Sequence, residues 1–352
     1  MEKEINHIIA RDCKKILEGI DTGLLKGTSI LLTGANGLLG SYIAHTIYFA
    51  NKFYNINCRL YCVSLHGPNR ELKCLSDDKN ITFIQADLSE PFEFKEKVDF
   101  IFHAACYAQP KKFLADKFKT AYLNIGAVKA LLDLAKENKA KFMFFSSVDV
   151  YGDIPKDKLP VKESYNGDLS TLSPRAIYGE SKRMGEAICA MYRADHNLKA
   201  YVVRISHLYG PGISIEDDRV LGNFIKKAFT DKKIEMLDEG ASLKTFGYAA
   251  DAVYMIFRII LEGKDFVYNV GGQEPFTIKG LAVEVSKNAG GIPVITPLAV
   301  STQQHIGSDY KRVGVDISKF IDEFGAVDFV SFSEGIKRTV EWNIQEYGLE
   351  RE

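Results

Sequence analysis

Residues 29–50 read SILLTGANGLLGSYIAHTIYFA, and the reading of this stretch decides the fold. A short apolar run, Ile30 to Leu32, meets Thr33-Gly34-Ala35-Asn36-Gly37-Leu38-Leu39-Gly40, and a helical pattern follows. Gly34, Gly37 and Gly40 make a GxxGxxG turn between a strand and a helix. Glycine permits the tight turn and lets backbone N–H groups approach a pyrophosphate, which then rests on a positive helix N-terminus. A glycine triplet alone also fits a plain structural turn. At a strand–helix junction near the start of a sheet it points to a dinucleotide site.

Outward from this junction, strand-like runs recur at Arg59–Ser64, Ile81–Gln85, Phe100–His103, Phe142–Ser146, Tyr201–Ile205 and Phe266–Asn269. Helical stretches separate most of them, among them Ala121–Asn138 and Tyr178–His196. Alternating strands and helices predict an α/β chain with a doubly wound parallel sheet and right-handed crossovers. Upstream, Ile5, Ile8, Ile9, Cys13, Ile16, Leu17 and Ile20 recur at spacings of three and four, the mark of an amphipathic helix. The expected division is a helical extension at 1–27, a Rossmann domain at 28–206 and a smaller mixed lobe at 207–352. Elements at about 247–270 are expected to return to the sheet domain.

Composition narrows the function classes. The 352 residues carry 45 Lys plus Arg against 46 Asp plus Glu, a net charge of −1. A dedicated nucleic-acid binder would be strongly basic. Modest Gly and Pro and an even spread of apolar residues exclude collagen-like, coiled-coil and disordered chains. Cys13, Cys58, Cys62, Cys74, Cys106 and Cys189 form no CxxC pair and no metal spacing, so they read as buried thiols in a reducing compartment. With no signal-like N-terminus and no long apolar run, the expectation is a cytoplasmic protein without a membrane span or a metal.

Two further stretches carry chemistry. The second strand ends in Cys62-Val63-Ser64-Leu65-His66, with Ser64 where a ribose-binding carboxylate usually stands. A hydroxyl tolerates a 2′-phosphate, and Arg70 lies close by in sequence, so NADP stays open beside NAD. Tyr178-Gly179-Glu180-Ser181-Lys182 puts Tyr178 and Lys182 on one helical face. A nearby ammonium lowers a phenol's pKa, fitting Tyr178 to act as general base. Upstream, Phe144-Phe145-Ser146-Ser147 is a strand end able to present a hydroxyl to the same substrate oxygen.

TGANGLLG, HAA at 103–105, FSSVDVYG at 145–152, YGESK at 178–182 and RISHLYGPG at 204–212 stand in the order seen in extended short-chain dehydrogenases/reductases. The chain resembles that family of nucleotide-sugar epimerases, 4,6-dehydratases and decarboxylases over residues 28–345. The resemblance implies NAD on the Rossmann domain, a nucleoside-diphosphate sugar on the small lobe, and Ser147, Tyr178 and Lys182 as catalytic triad. It carries Asp87 onto the residue that contacts adenine and Asn124 onto the asparagine beside the cofactor. Asn36, Leu38, Leu88, Ala104 and Ala105 fall within the matching cofactor-binding motifs. A homodimer through the helices at 121–138 and 178–196 is also implied; Ala121, Leu123, Ala127, Leu131 and Leu134 are compatible apolar positions, though ordinary core contacts explain most of them.

Within the family, residues 173–183 look most like UDP-glucuronate decarboxylases, and Asp218-Arg219-Val220 with Asn223-Phe224-Ile225 is similar to their substrate-binding segment. Arg219, Asn223, His207 and Lys244 are thereby the expected substrate contacts. Asp149 stands where these enzymes usually carry Glu, Val148 replaces a Ser or Asp, Lys244 an Arg, and His207 an Asn. A decarboxylase needs only oxidation at carbon 4 and a group that orients the carboxylate; Lys244 supplies charge without the Arg fork. A 4,6-dehydratase needs an additional acid and base, for which Asp149 is the candidate. A C4 epimerase needs only room to rotate the keto sugar. The order of expectation is decarboxylase, dehydratase, epimerase; an NAD(P)-binding sensor or scaffold is the non-enzymatic alternative. Asp149 as a turn cap and Lys244 as a solvated lysine are the plain structural readings.

Overall fold

The computed structural model describes residues 5–297 and 312–351. Six strands come first in the chain: β1 (Ser29–Thr33), β2 (Arg59–Ser64), β3 (Ile81–Gln85), β4 (Phe100–His103), β5 (Lys141–Ser147) and β6 (Ala200–Ile205). Two shorter strands follow, β7 (His207–Tyr209) and β8 (Ile234–Glu235), and then β9 (Leu243–Tyr248) and β10 (Val267–Val270). The main sheet has seven strands in the order β10-β6-β5-β4-β1-β2-β3, and every pairing in it is parallel. Every residue of β1 is buried, as expected for a parallel strand covered on both faces.

Side chains alternate across the sheet with the strand period of two. Ile30, Leu32, Leu60, Cys62, Phe102, Met143 and Phe145 face one layer. Leu31, Val63, Ile101, Phe142 and Phe144 face the other. The helices that fill these layers are α1 (His7–Glu18), α2 (Leu38–Tyr54), α3 (Pro110–Ala115), α4 (Lys117–Asn138), α5 (Ala176–His196), α6 (Val220–Thr230) and α7 (Ala249–Glu262). Helices α1, α2 and α7 contribute to the first layer, α4 and α5 to the second. Each large apolar side chain buried in this way contributes about 1.5–3 kcal/mol. The doubly wound α/β sheet expected from the sequence is therefore the fold of the chain.

The remaining elements are β11 (Pro275–Thr277), α8 (Ile278–Asn288), β12 (Val294–Ile295), β13 (Arg312–Val313), α9 (Ser318–Phe324) and α10 (Phe332–Tyr347). Strand β9 is the centre of a small mixed sheet. Its first half pairs with β11 and β13, and its second half runs parallel to β7, which continues directly from β6. This continuity brings β9 up to the end of the main sheet.

The N-terminal helix α1 starts where Asn6 accepts the Ile8 N–H at 2.9 Å and ends at Gly19. Its apolar face is buried against this chain's own core. Asp12 on that face accepts hydrogen bonds from the Tyr42 and Tyr248 hydroxyls and pairs with Arg338 of α10 at 2.8 Å. These contacts tie the extension to α2, β9 and α10.

The structure separates the core reading of α4 from the interface reading and corrects one expectation about the thiols. Leu123, Ala127 and Leu131 are buried within the chain's own second layer, so they are not free to meet another subunit. The exposed apolar side chains on the outside of α4 and α5 are Phe118, Tyr122, Met184 and Met191. All six thiols are free as expected, but Cys74 and Cys106 are only half-buried. Among the described residues there is no cluster fit for a metal and no helix long and apolar enough to cross a membrane.

Candidate active site

The strand order reverses between β1 and β4, and open α/β sheets bind ligands in the crevice outside the carboxyl ends of strands at such a point. Gly34 follows β1 with φ +74, and a Cβ there would stand 2.6 Å from the Ala104 carbonyl carbon after β4. A Cβ on Gly40 would collide with the Gly34 carbonyl oxygen. Gly37 is the N-cap of α2 and offers no side-chain cap, so the first N–H groups of α2 remain for an anion. This cradle fits a pyrophosphate-bearing cofactor.

Neighbouring residues brace the cradle. The Gly34 N–H donates to the Val63 carbonyl at 2.8 Å. Asn36 donates through Nδ2 to the Gly67 carbonyl at 2.9 Å and accepts the Asn69 N–H at 3.0 Å, so its amide ties the glycine turn to the loop after β2. Ser64 Oγ donates to the His66 carbonyl at 2.6 Å, which leaves the hydroxyl its acceptor capacity. Arg70 pairs with Glu346 of α10 at 3.4 Å. Leu38 is half-buried at the start of α2 and Leu88 is buried after β3. Asp87 accepts the Ser89 N–H and hydroxyl and the Lys119 ammonium, and these contacts, Lys119 foremost, hold its carboxyl down to about 2.

Beneath the crevice, His103 closes a dry polar chain. Its Nδ1 lies 2.8 Å from Thr33 Oγ1 and its Nε2 2.9 Å from the Leu123 carbonyl. A carbonyl only accepts, so Nε2 carries the proton and Thr33 donates to Nδ1. Burial depresses His103 to about 4 and keeps it neutral. Thr33 in turn accepts the Ala105 N–H at 3.4 Å, and its carbonyl accepts the Ala104 N–H at 3.2 Å. Asn124 on α4 donates to Ser181 Oγ at 2.9 Å, because the Ser181 proton goes to the Tyr178 carbonyl. Its Oδ1 is buried with no hydrogen-bond partner.

The second half of the site grows from β5 and α5. Ser147 ends β5 and caps the next turn, its Oγ accepting the Asp149 N–H at 3.2 Å. Tyr178, on the first turn of α5, is hydrogen-bonded to Ser147 and lies within the field of Asp149, Cys106 and Arg219. Lys182, one turn on, donates to the Phe145 carbonyl at 2.6 Å, stands 4.7 Å from the Phe144 ring centre and also bonds the Cys106 thiol. The expected lowering of the phenol by Lys182 is not what governs Tyr178 here. Burial raises the phenol well above its ordinary value, and the Ser147 hydrogen bond and the Arg219 charge are what oppose it. The reason is local: the ammonium is bonded to a backbone carbonyl and sits 5.9 Å from the Tyr178 ring centre. Burial likewise pulls Lys182 below its ordinary value.

The smaller sheet supplies the facing wall. Lys244 on β9 is buried and lowered by that burial to about 8, with the Asp149 carboxylate opposing the shift. His207, whose strand β7 pairs with β9, is lowered to about 3 by burial and by the charges of Lys244 and Arg219; its Nδ1 has no hydrogen-bond partner. Arg219 caps the start of α6 and forks onto both oxygens of Asp217 at 2.6–3.0 Å. Asn223 is half-buried on the first turn of α6. Tyr178, Ser147, Asp149, Lys244, His207 and Arg219 thus fall into one electrostatic neighbourhood, whereas Gly34, Asn36, Ser64 and Asp87 form the other end of the crevice.

The sequence reading passed over three residues that the fold brings to Tyr178 and its neighbours. Cys106 directly follows the HAA motif and touches Lys182. Phe113 of α3 stacks on the Tyr178 ring, and Arg175 lies over Phe113. Cys106 was within reach of reading, since it adjoins a motif; Phe113 carried no local signal. Behind the site, Glu186 accepts from Ser146 Oγ at 2.6 Å and from the Arg204 guanidinium at 2.7–3.2 Å, which locks α5 to β5 and β6.

The NAD dependent epimerase/dehydratase family model matches residues 30–271. UDP-glucuronic acid decarboxylase 6 of Arabidopsis thaliana is 29% identical over 308 residues, which span 87% of this chain and 86% of the relative. Among solved structures, dTDP-glucose 4,6-dehydratase of Streptomyces venezuelae superposes with a TM-score of 0.75 at 21% identity, covering 91% of this chain and 98% of that one. UDP-glucuronic acid 4-epimerase of Bacillus cereus gives 0.72 at 22% identity, with 91% and 100% covered. At these identities the structural likeness speaks for the fold.

Proposed function

Because the chain belongs to the NAD-dependent epimerase/dehydratase family, we propose that it acts on a nucleoside-diphosphate sugar through a 4-keto intermediate and that this sugar is UDP-glucuronate, which it decarboxylates. The observation that carries the finer reading is the buried Lys244 coupled to Asp149, which itself acts on Tyr178. A lysine lowered only to about 8 is still cationic at neutral pH, and a buried cation within the field of Asp149 suits a sugar carboxylate. Arg219 adds positive charge on the same side.

Gly34, Gly37 and Gly40 would hold the pyrophosphate of NAD, Asp87 its adenine end and Lys182 its nicotinamide ribose. Arg70 is tied to Glu346, which favours NAD over a cofactor needing a 2′-phosphate partner there. NAD held there would supply the acceptor for the carbon-4 hydride and the hydride's later return. Tyr178 takes the proton of the carbon-4 hydroxyl while Ser147 holds that oxygen. The new ketone lies β to the carboxylate, so the carbon–carbon bond breaks with its electrons drawn into the ketone, carbon dioxide leaves, and the resulting enolate takes a proton at carbon 5 to give the 4-keto pentose. Asp149 and Lys244 orient the ring and the carboxylate before that step.

Incubation with UDP-, dTDP-, GDP- and CDP-sugars, followed by mass spectrometry, tests the proposal. UDP-glucuronate should lose carbon dioxide and give a UDP-pentose or its 4-keto form. Loss of water from a nucleotide hexose, with UDP-glucuronate untouched, would instead identify a 4,6-dehydratase in which Asp149 assists proton transfer. Lys244→Ala should weaken decarboxylation by about tenfold or more and leave NAD binding within about twofold, as expected for a lost charged contact of 1.5–3 kcal/mol.

We also propose that the protein is a homodimer. Phe118 and Tyr122 on α4 and Met184 and Met191 on α5 are exposed apolar side chains on two helices that pack together, and exposed apolar surface of this kind supports an interface. Sedimentation at micromolar concentration should give a dimer, and Met184→Glu with Met191→Glu should shift it to monomer. A monomer for the unaltered chain would remove the proposal.

A further inference from the structure

The segment between Ala105 and α4 belongs to no motif, yet it supplies the ring that covers Tyr178. Phe113 is 1% exposed, and its ring centre lies 4.8 Å from that of Tyr178 with the planes 13° apart. The Arg175 guanidinium carbon is 5.2 Å from the Phe113 ring centre. Helix α3, which carries Phe113, is pinned at its start. Lys111 pairs with Asp218 at 2.8 Å, and the Gln109 side chain bonds Asp217, the carboxylate that grips Arg219. The covering ring is therefore anchored to the loop that begins α6, and its position against Tyr178 is set from two sides.

We infer that Phe113 is a positioning residue for Tyr178, its ring fixing the plane of the phenol so that the hydroxyl meets Ser147 and keeping water from that face. The inference rests on the proposed role of Tyr178 as base. A ring whose two faces are free can turn about its last torsion with little penalty, since that torsion has a broad well. Parallel stacking removes this freedom and adds attraction beyond burial. It also contributes to the dryness that raises the phenol. A substitution that keeps volume but loses the flat face should let water in, ease the burial penalty and lower the phenol's midpoint. The acid-side limb of activity, on which Tyr178 must lose its proton, would then move to lower pH.

The test uses the full-length, NAD-loaded protein with 3-fluorotyrosine at position 178, titrated by fluorine NMR, in the unaltered, Phe113→Leu and Phe113→Tyr forms. Lys111→Ala, which loosens α3 without entering the core, is the second route should Phe113→Leu not fold. For Phe113→Leu the phenol midpoint should fall by about one pH unit, the scale of a modest relief of burial. Its kcat should drop at least about tenfold with KM within about threefold, the mark of an effect confined to the reacting geometry. Phe113→Tyr, which keeps the stack, should retain both midpoint and kcat. An unmoved midpoint in both Phe113→Leu and Lys111→Ala, with activity lost only in proportion to folded protein, would overturn the inference. If no nucleotide sugar is turned over by the unaltered protein while the midpoint still follows Phe113, the positioning stands and the proposed activity falls.

Discussion

Tyr178→Phe should give a folded protein that keeps its cofactor and loses at least about 100-fold in turnover, the scale of a missing general base. The ring is buried, stacked on Phe113, and linked to its surroundings by one hydroxyl contact to Ser147. Removing the oxygen therefore leaves the packing intact. Any loss of activity reports chemistry. The measurement is single-turnover rate with the substrate found in the nucleotide-sugar screen, alongside chromatography of the nucleotide released on denaturation. Turnover near that of the unaltered protein would mean that another group takes the proton. Loss of the bound nucleotide would mean that the phenol is part of the cofactor site more than of the reaction.

The second large effect is on stability. Glu186→Ala should cost about 3–5 kcal/mol, because it strands a buried guanidinium. Glu186 and Arg204 are both mostly buried, and the carboxylate also accepts the Ser146 hydroxyl one residue before Ser147. Without it, Arg204 retains the Glu163 carbonyl and the face of Tyr151, neither of which carries the compensating charge. Urea unfolding at neutral pH gives the value. Replacing both members, Glu186→Leu with Arg204→Met, should recover most of the loss, since a buried pair exchanged for apolar volume is often neutral. A single-variant cost below about 1 kcal/mol would mean that water reaches Arg204 and solvates it.

Much of this was legible along the chain, for reasons that depend on short range. Gly34 and Gly40 are required by contacts made within the turn and with the next strand end, so the pattern alone located the cradle. Period-two and period-3.6 patterning placed β1 to β6, α4 and α5, because burial on one face is written into consecutive residues. Tyr178 and Lys182 are one helical turn apart and needed no tertiary information to be paired. Asp149 and Lys244 were singled out separately, from their motifs, as departures from a family pattern.

What the sequence could not carry were quantities summed over distant segments. The sense of the Tyr178 shift is one: a neighbouring lysine in the helix argued for a lowered phenol, but the ring is buried, with Phe113 of α3 stacked on it and Ser147 at the end of β5 beside it, and burial outweighs the charge. The covering of α4 is another, since helical periodicity marks Leu123, Ala127 and Leu131 as apolar without saying whether this chain or a second copy covers them. Phe113 meets Tyr178, and Lys244 meets the field of Asp149, only because the parallel sheet aligns its strand ends and β7 pairs β9 beside them. The sequence by itself determined the local geometry and the sheet, and singled out the groups proposed to react. Their protonation, their covering and their meeting were decided by tertiary structure, because desolvation and contact depend on which remote segments share the same few ångströms.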